Sequence, residues 1–256
     1  MAAMYLIRDI RDSIVSEGMM GGKKAIEIVF GGCNHWDGDP SHRKDGLSAC
    51  SMWCDANFYS YCSKKMTAEQ IAERCRNVWA ESTRAHRNPG LSDYVLLSGG
   101  EPLLFVDVEL AEALRDHGFQ LILATNGSMR PMKGLMELMA HVTVSPKLEI
   151  GPNGDLLVPD LKVCDNCELT VTLPGAVGGK GWTDEQLLQL EKEGTWKLMS
   201  VVPMDPTDPR TTDVTHLRGG YERHEELAEA VRRCLDWISN HRNWCICLQY
   251  HKLLNL

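Results

Sequence analysis

At 256 residues the chain is long enough for one α/β domain of barrel size or two small ones, and 43% hydrophobic with 24% charged residues suits a globular fold. A formal net charge of -8 without a long basic run argues against a constitutive nucleic-acid groove. No apolar run approaches a membrane span and Met1 to Met20 lacks the apolar core of a secretion signal, so a cytoplasmic location away from membranes is expected.

The first β-type run is Ile26 to Phe30, and Asn34 to Ala49 after it reads as a loop. Thr67-Ala-Glu-Gln70 is a capping box opening a helix with Ile71, Cys75 and Val78 on one face. Strands are predicted at Tyr94 to Leu97, Gln120 to Ala124 and Val142 to Val144, with a loop or insertion from Gly151 to Pro159. Leu169 to Leu173 is the next strand. A second capping box, Thr183-Asp-Glu-Gln186, starts a helix that stops at Gly194. Lys197 to Val202 is another strand, and Asp205 to Gly220 another loop. Leu227, Val231, Cys234, Leu235 and Ile238 form the stripe of the last helix, followed by a strand over Trp244 to Leu248. This alternation, running from end to end, predicts a parallel sheet with outer helices. About seven strands favour a single-domain barrel or incomplete barrel over residues 1–256.

The unusual residues fall just after the strands. Cys33 follows the first, Ser98-Gly-Gly-Glu-Pro102 the second, Thr125-Asn-Gly127 the third and Ser145-Pro-Lys147 the fourth. Pro203-Met-Asp205 follows the sixth and Gln249-Tyr-His-Lys252 the last. Loops at the C-terminal ends of parallel strands converge over one opening, so these clusters describe an active site.

Ten cysteines in a chain expected to be cytosolic point to metal ligation by a subset rather than to a disulfide framework. Cys33, Cys50 and Cys54 share the loop 33–54 in the pattern C-x16-C-x3-C. Three soft thiolates suit an iron–sulfur cluster and leave one iron open to a chelating cofactor. The other reading is a zinc knuckle completed by His35, His42 or Cys62. Trp53 would place a ring where an adenine could pack. Gly99 and Gly100 offer close backbone approach, and Glu101 offers a carboxylate for the ammonium of an amino-acid cofactor. With no G-x-G-x-x-G and no P-loop lysine, the nucleotide folds are weak readings. Cys164-Asp-Asn-Cys167 looks like a second metal knuckle, but it falls where a strand begins, away from the rim, and reads as structural or incidental.

Gly32-Cys-Asn34, Cys54-Asp55, Ser98 to Leu103, Thr125-Asn-Gly127, Val144-Ser-Pro-Lys147, Pro203-Met-Asp205 and Leu248-Gln-Tyr-His-Lys252 make the chain resemble the 7-carboxy-7-deazaguanine synthases. These are radical S-adenosylmethionine (SAM) enzymes of queuosine and 7-deazapurine biosynthesis. The resemblance implies an incomplete TIM-like barrel of the radical SAM type. It also implies conversion of 6-carboxy-5,6,7,8-tetrahydropterin into 7-carboxy-7-deazaguanine with loss of ammonia. The implied cofactors are a [4Fe–4S] cluster on Cys33, Cys50 and Cys54, SAM, and Mg2+ near Asn57. SAM would be lined by Trp53, Asp55, Gly99, Gly100, Glu101, Asn126, Ser145, Pro146, Lys147, Met204 and Asp205. Ile14, Ser98, Gln249 and the C-terminal carboxylate of Leu256 would face the substrate, with Glu17 and His251 as catalytic groups. An electron donor such as flavodoxin or ferredoxin and a homodimer are implied in the same way, with no nucleic-acid or membrane partner.

The chain departs from the family pattern mainly on the substrate and metal side. Val15-Ser-Glu-Gly18 stands for Gln-Gly-Glu-Gly, and Val29 for an arginine that would grip the substrate carboxylate. Ala56 replaces a hydroxyl ligand of Mg2+, Ala124 replaces a glutamate, and three residues instead of two separate Cys50 from Cys54. These departures keep two alternatives open: a paralogue with a changed substrate, and a non-catalytic metal-binding protein on the same fold.

Overall fold

The computed structural model describes residues 3–16, 18–54, 56–82, 93–176, 181–204 and 220–249. In chain order it holds β1 (Tyr5–Ile14), β2 (Lys24–Phe30), β3 (Lys64–Met66), α1 (Ala68–Ser82), β4 (Asp93–Gly99), α2 (Val108–Asp116) and β5 (Phe119–Thr125). There follow β6 (Met139–Val144), β7 (Glu149–Ile150), β8 (Leu156–Leu157), β9 (Asp165–Leu173), α3 (Asp184–Glu193), β10 (Thr195–Pro203), α4 (Gly220–Asn240) and β11 (Trp244–Ile246). Nine strands form one sheet in the order β11-β10-β9-β6-β5-β4-β2-β1-β3. From β11 to β2 every pairing is parallel, and β1 then runs antiparallel to both β2 and β3.

Residue alternation assigns the two faces of this sheet. In β2, Ile26, Ile28 and Phe30 pack into the main helix-side core with α1 and α2 residues such as Ile71, Cys75 and Leu110. A second helix-side core joins Leu169, Val171 and Leu173 of β9 to Leu187, Leu190 and Trp237. The opposite, inner face holds a smaller apolar cluster of Val15, Ala25, Leu96 and Ile122, with Ala124 packed against it. It also holds buried polar groups: His141, Glu168, Thr170 and Ser200. The turn between β1 and β2 reaches across this face. Met19 N–H donates to Glu168 of β9, and Gly18 N–H to the sulfur of Cys247 beyond β11. A turn that joins strands on opposite flanks requires the sheet to curl, and the strand order leaves it an open barrel.

Both capping boxes form: Thr67 with Gln70, and Thr183 with Gln186. The seven parallel strands match the sequence reading, but the end-to-end alternation does not hold. Between β5 and β6 there is a short 3-10 turn, Met136–Leu138, in place of a helix. Between β6 and β9 lies the antiparallel pair β7–β8, of which β8 falls within the stretch Gly151 to Pro159 read as loop. β1 lies before the first strand read from sequence, and α2, capped by Asp107, had not been located.

Candidate active site at the C-terminal rim

The cysteine loop is tied down at many points. Arg43 donates to the carbonyls of Ser51 and Cys54, and its guanidinium lies 5.2 Å from the Trp36 ring centroid. Ala49 N–H donates to the Leu148 carbonyl, Leu47 N–H to His35 and Ile150 N–H to Leu47. These bonds dock the loop on the segment that follows β6 and bring Lys147 to the thiols. Lys147 Nζ donates to Ser145 Oγ at 2.7 Å and lies 5.5 Å from the centroid of Trp53, whose indole N–H binds the Gly175 carbonyl.

Cys33, Cys50 and Cys54 are within electrostatic reach of one another, and Lys147 of Cys50. Burial pushes the Cys33 thiol up to about 11, and Cys50 is raised by the same cause. Such thiols stay protonated in the empty loop and lose their protons on binding a metal. Burial also pushes His35 down to about 4, helped by Lys147, so its imidazole is neutral near pH 7.

The Gly-Gly-Glu-Pro turn serves the chain itself first. Gly99 has φ +116°, and a Cβ there would come 2.4 Å from Phe30 N. At Gly100 a Cβ would meet the Gly32 carbonyl oxygen at 1.9 Å. These glycines let the end of β4 touch the end of β2, so the close approach foreseen for a cofactor is made to the cysteine limb. Glu101, offered by the sequence to an ammonium group, is fully buried. It accepts from Leu103 N–H, Thr125 Oγ1 and Asn126 N–H, and burial raises its carboxyl above the ordinary range. It therefore holds two rim loops together from beneath. Asn126 continues the link, donating from Nδ2 to Asn34 Oδ1 at 2.8 Å.

Trp53, Gly99, Gly100, Asn126, Ser145, Pro146, Lys147 and Met204 thus share the C-terminal rim with the three cysteines, and Gln249 follows β11 on the same side. Asn57 is exposed after the loop. Ser98 lies lower on the inner face and donates to Glu27 Oε1 at 2.7 Å, while Arg11 binds the other oxygen of that carboxylate. Ile14 sits at the opposite end of the strands, paired with Lys24, so its side chain faces away from Ala25 and the inner cluster. Glu17, Asp55, Asp205, His251 and Leu256 lie outside the described residues.

Sequence reasoning missed Arg11, Glu27, His141 and Glu168. Glu27 is a polar residue inside a predicted strand, which was the available signal, whereas His141 and Glu168 stand one residue before the predicted runs and enter β6 and β9 only in the structure. Among the described residues no three His, Cys, Asp or Glu side chains converge tightly enough for a single metal ion. His35 is bonded to Ser48, and His42 pairs with Asp37 at the surface. Cys167 is buried in the core, and the Cys164 carbonyl accepts from Thr195 N–H.

A curled parallel sheet with a three-cysteine loop after β2, a Gly-Gly-Glu-Pro turn after β4 and Ser-Pro-Lys after β6 defines a radical SAM enzyme. No protein-family model matches the chain. The 7-carboxy-7-deazaguanine synthase of Caulobacter vibrioides is 31% identical, with 98% of this chain and 99% of that protein covered. The synthase of Burkholderia multivorans is 27% identical over the same shares. The crystal structure of QueE from Escherichia coli shares the fold, with TM-score 0.57 and 16% identity over 96% of this chain and 94% of that one. The chain belongs to the 7-carboxy-7-deazaguanine synthase family, radical SAM lyases that use a [4Fe–4S] cluster, SAM and Mg2+.

Proposed function

We propose that this chain, folded as one domain over residues 1–256, converts 6-carboxy-5,6,7,8-tetrahydropterin into 7-carboxy-7-deazaguanine with loss of ammonia. The observation that carries this reading is the docking of the loop that bears Cys33, Cys50 and Cys54, through Ala49 N–H on the Leu148 carbonyl, beside Ser145 and Lys147 on the C-terminal rim of a chain with full-length similarity to the synthases. Three soft thiols in mutual reach fit a cluster with one open iron, and the Lys147 ammonium offsets its negative charge. Bound there, the cluster and SAM supply hydrogen-abstracting radical chemistry.

The protein's own residues bind, orient and exclude water. Trp53, Gly99, Gly100, Ser145, Pro146, Lys147 and Met204 line SAM, with Asp55, Asn126 and Asp205 beside them, and Glu101 holds the floor of that site. Below the rim, Ser98 faces the substrate and is oriented by Glu27, whose second oxygen is held by Arg11. The Arg11 guanidinium brings a cation to the face where Val29 lacks one. Gln249 and the Leu256 carboxylate complete the substrate contacts, Glu17 and His251 handle protons, and Asn57 serves Mg2+. The apolar cluster of Val15, Ala25, Leu96 and Ile122 keeps water from the far end. An external one-electron donor such as flavodoxin or ferredoxin, a homodimer and a cytoplasmic location complete the reading.

One observation favours a second reading, a changed substrate on the same radical SAM core. Val15 and Ala124, both in place of polar family residues, pack in the same inner apolar cluster. An anaerobic assay of the reconstituted protein with SAM, reductant, Mg2+ and the carboxypterin, read by mass spectrometry, separates the two. Formation of 7-carboxy-7-deazaguanine supports the first reading. SAM cleavage without that product transfers the assignment to the second.

A further inference from the structure

We propose that His35 donates a hydrogen bond from its Nε2–H to the sulfurs of the iron–sulfur cluster and thereby raises the cluster's reduction potential. The inference rests on the assignment of Cys33, Cys50 and Cys54 as cluster ligands.

His35 is 4% exposed and Ser48 fully buried, and Ser48 Oγ lies 2.6 Å from His35 Nδ1. A buried hydroxyl must place its proton on an acceptor. Among the described residues Nδ1 is the acceptor within reach, so the serine donates and the imidazole proton stands on Nε2. That Nε2 is buried and has no hydrogen-bond partner among the described residues. A buried donor without an acceptor is costly, and a native fold keeps one where a ligand completes it.

The surroundings indicate which ligand. His35 N–H points at Cys33 Sγ, 3.5 Å away, and the His35 carbonyl receives Leu47 N–H. Ser48, which holds the other edge of the ring, is two residues from Cys50. The imidazole thus lies between the Cys33 and Cys50 limbs of the loop, and the Lys147 ammonium acts on both it and Cys50. A sulfide or thiolate sulfur is the acceptor that a cluster on these limbs would present. Reduction adds negative charge to the cluster, and a donor to sulfur stabilises that state more than the oxidised one.

The test compares the full-length wild type, His35→Leu and Ser48→Ala after anaerobic reconstitution. Iron, sulfide and visible absorption report the ligand assignment, and an EPR-monitored redox titration reports the potential. His35→Leu is expected to hold its cluster at a more negative midpoint potential and to lose an exchangeable-proton coupling that wild type shows in deuterium ENDOR. Ser48→Ala, which frees Nδ1 to take the proton, is expected to shift the potential less in the same direction. If His35→Leu binds no iron, Ser48→Ala and the wild-type proton coupling decide. Equal potentials with no such coupling overturn the role of His35 alone. A wild type that takes up no cluster, or a triple Cys33→Ala, Cys50→Ala, Cys54→Ala variant that still does, overturns the ligand assignment and this inference with it.

Discussion

His141 Nε2 lies 2.8 Å from Glu168 Oε2 across the junction of β6 and β9, with both side chains buried on the inner face of the sheet. The same carboxylate accepts Met19 N–H at 3.0 and 3.2 Å. One polar pair therefore fastens the β1–β2 turn to the far half of the sheet and maintains its curl. The turn is also fitted closely: Gly18 has φ +73°, and a Cβ there would stand 2.0 Å from Glu168 Oε1.

Replacing Glu168 with leucine leaves the buried His141 ring without a partner and takes the acceptor from Met19 N–H. The expected loss is about 3 kcal/mol, the scale for breaking a buried charged or polar pair from one side. Urea unfolding of the metal-free protein measures it. Glu168→Gln keeps a carbonyl acceptor and should lose less than half as much. Equal losses in the two variants would mean that Glu168 matters for its volume, not its bonds.

The parallel strands were legible because their alternation of apolar residues is regular: Ile26, Ile28 and Phe30 face one core, and Leu169, Val171 and Leu173 the other. β1 was not, because Arg8, Asp9, Arg11 and Asp12 interrupt the pattern of a strand near the sheet edge. The rim could be read because its residues follow strands in the chain. Partners could not: Asn34 meets Asn126 across 92 residues, and His141 meets Glu168 across 27. Glu101 shows the same limit, since residue type suggested a ligand contact while the fold turns its carboxylate inward.

Gly100→Ala should uncouple folding from cluster binding. Its Cβ would meet the Gly32 carbonyl at 1.9 Å and Cys33 Cβ at 3.0 Å, so the cysteine limb must move. The helices and parallel strands do not depend on that limb. Circular dichroism should therefore stay near wild type while iron per chain after reconstitution falls at least several-fold. Full iron loading would show that the limb relocates without losing its ligands.

Ser98→Ala tests the inner face. The hydroxyl is held at 2.7 Å by Glu27, and removing one hydrogen bond to a bound substrate costs about 1 to 2 kcal/mol, or roughly a tenfold rise in KM for the carboxypterin. SAM cleavage in the absence of substrate should be unchanged, because the SAM residues lie nearer the rim. A fall in uncoupled SAM cleavage would instead place Ser98 in the cofactor site.

The thiols far from the rim make a prediction about alkali. Burial pushes Cys75 and Cys234 up to about 12, against an ordinary value of 9.0, and both are fully buried in the helix-side cores. The unfolded chain therefore releases these protons at lower pH than the folded one. Their contribution to stability is fully present below pH 9.0 and is lost as pH rises towards about 12. The urea midpoint of the metal-free protein should fall steadily across that range, and a Cys75→Ala, Cys234→Ala double variant should show a flatter decline from a lower starting stability. Alkylation at pH about 8, read by peptide mapping, supplies the independent check, since thiolate rather than thiol reacts. Exposed Cys62 should be modified first while Cys75 and Cys234 resist until the protein unfolds. Early modification of Cys75 would mean that α1 opens locally, and the pH dependence would then belong to that opening.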